Sequence, residues 1–161
     1  MNLHRMTRIA LLTALSLILF VLEGFLPLPL LVPGAKLGLA AIVTLIARCI
    51  LPMRGAALVL TLRILLASAL GGGLAPMLYS LAGGVASFAA MALLKKHTQL
   101  SIVSISAAGG FLHNMAQLLV AAAVMQTPVL FSYAPVLGFV GILTGIGIGM
   151  SAQIILQKIS R

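Results

Sequence analysis

Acidic side chains are almost missing from this chain: it has no aspartate, and Glu23 is the single carboxylate residue in 161. Catalysis by paired carboxylates is therefore excluded within the chain. So is a Mg²⁺ site built from its own acids. Cysteine is as scarce, since Cys49 stands alone. That rules out an intramolecular disulfide and a cysteine-cluster metal site. No Gly-x4-Gly-Lys-Ser/Thr loop is present to hold nucleotide phosphates. The chain is expected to carry no cofactor and to be no enzyme.

Charge of either sign is sparse at 7% of residues, whereas 62% are hydrophobic. Globular domains average about 25% charged and about 45–50% apolar. A soluble chain this short leaves too much surface wet to hide so much apolar area. The composition fits a protein whose solvent is a lipid bilayer. The net charge of +9 does not indicate nucleic acid, because the basic residues are scattered singly and in pairs between apolar runs. The positive-inside rule accounts for that scatter.

Turn and charge signals divide the sequence into about six apolar segments, near 7–26, 37–51, 55–70, 75–94, 102–126 and 135–157. Pro27 and Pro29 end the first, Pro52 and Arg54 the second, and Gly71-Gly72-Gly73 the third. The fourth stops at Lys95-Lys96-His97, the fifth before Thr127-Pro128, and the sixth before Lys158. The run from Ile9 to Leu26 is too long for a signal-peptide core and lacks a cleavage site, so it reads as a retained membrane helix. Segments two and three fall short of the roughly 20 residues that span a bilayer. They read either as two spans or as a re-entrant hairpin.

With the N-terminus in the cytoplasm and six spans, Arg5, Arg8, Arg48, Arg54, Lys95, Lys96, Lys158 and Arg161 all fall on the cytoplasmic side. That is eight of the ten basic residues. The expected fold is all-α: one polytopic membrane bundle over 1–161 with both termini cytoplasmic. No soluble linker and no long-period repeat is visible.

Two basic residues escape this topological account. Arg63 lies inside segment three, and Lys36 opens segment two on the outer side, near Glu23. Charge in a bilayer is costly unless it is paired or faces water. A buried pair of Glu23 with Arg63 or Lys36 would fix helix register. Alternatively, two cations against one acid leave a positive charge for an anionic ligand in an outer cavity. In segment five, His113, Asn114 and Gln117 recur at helical spacing and form one polar stripe, suited to a cavity wall or to interhelical bonding. No second ligand lies at metal-binding spacing from His113. Gly141, Gly145 and Gly149 form a close-approach face on segment six, and Ala10 and Ala14 form one near the cytoplasmic end of segment one.

Three stretches carry a family resemblance: Pro33-Gly34-Ala35-Lys36-Leu37-Gly38-Leu39-Ala40, Tyr79-Ser80-Leu81-Ala82-Gly83-Gly84 and His113-Asn114-Met115-Ala116-Gln117-Leu118. They resemble the heptaprenyl diphosphate synthase component I family, also called the Gx transporter family of bacterial membrane proteins. Ala41 departs from the Asn that the family carries after the Leu-Ala pair. The family is similar in layout to the substrate-binding S components of energy-coupling factor (ECF) transporters, which have six helices. The resemblance implies a location in the bacterial cytoplasmic membrane. It also implies a small-molecule site under the loop joining helices one and two, here Pro27–Pro33. Docking on a membrane scaffold would use an Ala-xxx-Ala pattern on helix one, which Arg8, Ala10 and Ala14 match.

The expectation is a substrate-binding subunit that takes an anionic, amphipathic small molecule from outside. Its site residues would be Lys36, Arg63, His113, Asn114, Gln117 and Glu23, and scaffold and ATPase subunits would be its partners. Two alternatives stand beside it. One is a non-catalytic membrane partner of a soluble prenyl diphosphate synthase that supplies the acid clusters this chain lacks. The other is a structural membrane protein without a ligand.

Overall fold

The computed structural model describes residues 3–25 and 39–159. Six α-helices follow in order: α1 Leu3–Gly24, α2 Ala40–Ile50, α3 Met53–Ala67, α4 Leu74–His97, α5 Ile102–Met125 and α6 Ala134–Ile159. A π-helical turn, Ser68–Gly72, closes α3, and a 3₁₀ turn, Pro128–Tyr133, leads into α6. The described residues contain no strand. Five stretches are long and apolar enough to cross a membrane: Leu3–Glu23, Met53–Leu70, Met77–His97, Ile102–Met125 and Pro128–Lys158. The protein is an all-α membrane bundle. Its exposed leucines, isoleucines and valines, such as Leu11, Ile18, Leu66 and Leu119, are surface that lipid can cover.

Helix α2 is the shortest of the six. α2 has 11 residues. At 1.5 Å per residue it is only about 16 Å long. The described part of segment two therefore does not cross a hydrocarbon core of about 30 Å. Leu51 leaves the helix in an extended conformation, and Pro52 at the α3 N-cap prevents the two helices from merging.

The chain divides into two compact units, Met1–Pro76 and Met77–Arg161, with the division in the first turn of α4. In the first unit α2 and α3 pack on α1. Ser16 Oγ donates to Ala40 O (3.2 Å). At the other end of the same helices, a Cβ on Gly55 would lie 3.6 Å from Ile9 Cδ1. The buried side of this unit includes Val43, Leu45, Val59, Leu60 and Ile64.

In the second unit α5 and α6 run antiparallel in backbone contact. A Cβ on Gly145 would sit 2.5 Å from Ser106 O, and one on Gly149 would sit 2.7 Å from Val103 Cα. The glycine face read from segment six is thus the seat of α5. α4 packs on another side of α5, where Gly109 meets Met91 and Ser87. These pairings place Lys95, Lys96 and His97 at the same end of the unit as Lys158, because α4 and α6 both end there.

α5 ends on Gln126, whose φ of 50° is left-handed. Left-handed backbone after a helix is the usual place of glycine. Gln126→Gly is expected to raise stability by up to about 1 kcal/mol, the gain from removing Cβ strain less the greater freedom of the unfolded chain. Thermal unfolding in detergent checks this, and a lower midpoint would contradict it.

Candidate functional site

The first polar cluster belongs to the N-terminal unit. Glu23, in the last turn of α1, is 4% exposed, and Arg63, in the middle of α3, is 8% exposed. Glu23 lies within Coulombic reach of Arg63. Its Oε2 also accepts a hydrogen bond from Leu39 N–H at 3.1 Å. The first N–H groups of a helix have no partner within it. Leu39, at the head of α2, offers no side-chain cap of its own. The carboxylate therefore caps α2 from a different helix, where the helix dipole also favours negative charge. A single side chain thus ties α1 to α2 and sets a negative charge within Coulombic reach of Arg63 on α3. Lys36 and the Pro27–Pro33 connection, expected as cation and lid, lie outside the described residues.

The second cluster lies in the C-terminal unit. His113, Asn114 and Gln117 are all half-buried on α5, but they do not form the one stripe expected from their spacing. His113 and Gln117 press on Gly83 of α4, where an added Cβ would lie 2.8 Å from His113 Cε1 and 2.9 Å from Gln117 Cγ. Asn114 turns to α6 instead, and its Nδ2 donates to Leu137 O at 2.8 Å. The reason is helical geometry. Residues four apart share a face, whereas residue 114 is about 100° round from its neighbour. Asn114 bonds between helices, while His113 and Gln117 line the α4–α5 seam.

Gly83→Ala tests that seam. The atoms in the way are side-chain atoms that can turn aside, so stability is expected to change by less than about 1 kcal/mol. The His113 ring should move. In a histidine-labelled NMR spectrum the His113 signal is expected to shift while those of His4 and His97 stay. An unmoved His113 signal would contradict the packing.

Other polar groups escaped the sequence reading. Thr13, Ser16 and Thr44 are buried in the first unit, Ser16 against Ala40 of α2, and Ser87 and Ser106 are buried in the second unit. Hydroxyls three apart in an apolar run, such as Thr13 and Ser16, were the available signal. Arg8, Ala10 and Ala14, by contrast, stand exposed on α1. Among the described residues no group of three or more His, Cys, Asp or Glu could hold a metal ion.

Two of the three recognisable stretches thus meet directly, at Gly83 against His113 and Gln117. A family model, heptaprenyl diphosphate synthase component I, matches residues 12–155. The chain belongs to this family. The match covers α2 to α5 and most of α1 and α6, and every candidate residue except Arg8 and Ala10. No curated protein and no solved structure matches the chain.

Proposed function

We propose that this member of the heptaprenyl diphosphate synthase component I family is a non-catalytic membrane partner of a prenyl diphosphate synthase. The observation that carries the reading is the family match over residues 12–155 in a chain with one carboxylate. Joining prenyl units requires Mg²⁺ held on diphosphates, and divalent magnesium is held largely by carboxylates. Those acids must come from another subunit. This chain supplies the membrane. Its apolar helices suit a long isoprenoid tail, and its excess of positive charge suits a diphosphate.

The test is to add the protein, reconstituted in bilayers, to the soluble prenyl synthase encoded in the same genome. The expected result is a stable complex with a severalfold gain in rate or a longer product. A synthase that neither binds the protein nor changes its product would overturn the proposal.

A second reading is favoured by α1, where Ala10 and Ala14 are exposed one turn apart beside Arg8. Such a face suits close helix docking. In that reading the protein is a substrate-binding subunit of a bacterial uptake transporter. Glu23, Arg63, His113, Asn114, Gln117 and Lys36 would serve an anionic ligand, and a scaffold with ATPase subunits would dock at Arg8, Ala10 and Ala14. Ala10→Leu with Ala14→Leu should abolish co-purification with a co-expressed transporter scaffold and leave the synthase complex intact.

A further inference from the structure

One end of the N-terminal unit gathers positive charge with nothing to balance it. Ile9 packs against Gly55, so the start of α1 lies beside the start of α3. Arg5 and Arg8 sit on the first of these ends, and Arg54 sits on the second. Arg48 joins them from the last turn of α2, one turn before Leu51, which is itself in contact with Gly55. Four guanidinium groups therefore share one end of a three-helix unit. The single acid, Glu23, is fourteen residues further along α1 than Ile9, or about 21 Å at 1.5 Å per residue.

The backbone adds to this field. Neither α1 nor α3 has an acid in its first turn, and both direct their N-terminal dipole to this end. Pro52 supplies no side-chain cap to α3.

Topology alone does not account for Arg48. An arginine that only marks the cytoplasmic side extends its whole head into water. Arg5, Arg8 and Arg54 are exposed and fit that description. Arg48 is half-buried, and its Nε is fully covered without a hydrogen-bond partner among the described residues. One turn deeper on the same face of α2 is Thr44, and Thr13 lies at the matching level of α1, three residues from the Ser16–Ala40 bond. Both hydroxyls are likewise buried and unpartnered. Elsewhere Thr7, Thr61, Thr98 and Thr144 turn their hydroxyls to the carbonyl four residues back. Thr44 would use Ala40 O, which Ser16 already occupies. Three unsatisfied polar atoms on two helices of one small unit are costly, and native structures leave few such atoms.

We infer that the arginine end of α1, α2 and α3 is a binding site for a diphosphate-headed membrane amphiphile, with Arg48 as its inner anchor and Arg54 and Arg8 at its rim. The guanidinium fork matches phosphate oxygens two at a time. Charge selects the head group. A phosphodiester lipid carries one negative charge and leaves most of this end uncompensated, whereas a diphosphate ester carries two or three. The apolar tail lies along the exposed leucine and isoleucine face of α1. This inference rests on the proposed synthase partnership for its choice of amphiphile, but its geometry stands apart from it.

The experiment is binding of radiolabelled farnesyl diphosphate to the full chain in neutral phosphatidylcholine nanodiscs. Saturable binding is expected, falling about tenfold or more in Arg48→Gln, the loss of one two-point phosphate contact. Arg54→Gln, an exposed position that leaves the fold undisturbed, should lose about threefold, as a rim charge does. Lys158→Gln, in the other unit, should bind as the wild type does. Absence of saturable binding would overturn the site, as would equal binding by wild type, Arg48→Gln and Arg54→Gln. Displacement by phosphatidylglycerol as readily as by unlabelled farnesyl diphosphate would overturn the diphosphate assignment in favour of an ordinary lipid contact. Inorganic pyrophosphate, lacking a tail, should compete weakly; competition equal to that of farnesyl diphosphate would overturn the amphiphile assignment. Arg48→Gln is also assayed with the synthase. If that variant binds no farnesyl diphosphate yet still forms the complex, the site and the partnership are separable. If the wild type forms no complex but shows the arginine-dependent binding, only the partnership fails.

Discussion

Glu23→Ala is expected to destabilise the protein by about 3–5 kcal/mol, the usual cost of leaving a buried charge without its partner. Arg63 is 8% exposed and would keep its charge in apolar surroundings. Leu39 N–H would lose the acceptor that caps α2. Arg63→Ala should cost less, because Glu23 keeps the Leu39 N–H as a partner. Glu23→Gln combined with Arg63→Gln removes both charges and keeps an acceptor for Leu39, so it should recover at least half of the loss. Reversible unfolding in mixed micelles measures all four proteins. A Glu23→Ala variant within about 1 kcal/mol of wild type would show that the pair does not hold the helices together. The double variant also separates the two roles open to these residues. If it is stable and still binds an anion, the pair serves helix register. If it is stable and binds none, the pair belongs to the site.

The second large effect lies between α5 and α6. Gly145→Ala should cost about 1–3 kcal/mol or more, because the added carbon meets backbone and not a movable side chain. Its Cβ would lie 2.5 Å from Ser106 O and 2.8 Å from Ala107 Cα. Gly110→Ala meets the carbonyl of Gly141 still more directly and should be at least as severe. Gly147 is the internal control, since a Cβ there has nothing within 4 Å. Alanine is the better helix former by about 1 kcal/mol, so Gly147→Ala should be neutral or stabilising. Equal melting points for Gly145→Ala and Gly147→Ala would contradict the close approach.

These two predictions differ in how far the sequence anticipated them. The repeat of Gly141, Gly145 and Gly149 is a pattern along one helix, and it was readable as a packing face before its partner was known. That Gly110 and Ser106 of α5 fill it is information about a second helix. Glu23 was readable as a partner of Arg63 or of Lys36, because charge in an apolar run demands compensation. The third member, the Leu39 N–H, was not readable. Any helix start has unpaired donors, and only the path of the chain decides which carboxylate reaches them.

The polar residues of α5 show the same boundary. Their spacing placed His113, Asn114 and Gln117 on one side of a helix. Two neighbouring helices divide that side, so His113 and Gln117 meet Gly83 while Asn114 bonds to Leu137. A helix wheel gives angles, and the positions of the neighbours turn those angles into different surroundings.

By itself the sequence determined that this is a helical membrane protein without its own acid chemistry. Hydropathy, proline and glycine breaks and the lack of carboxylates act locally, within a segment or by composition. The tertiary structure decided the cap that Glu23 lends α2, the division of the α5 stripe, and the burial of Arg48 among the arginines that the sequence had already placed on one side. Each of these depends on which residues distant in the chain become neighbours, and that is settled by the packing of whole helices.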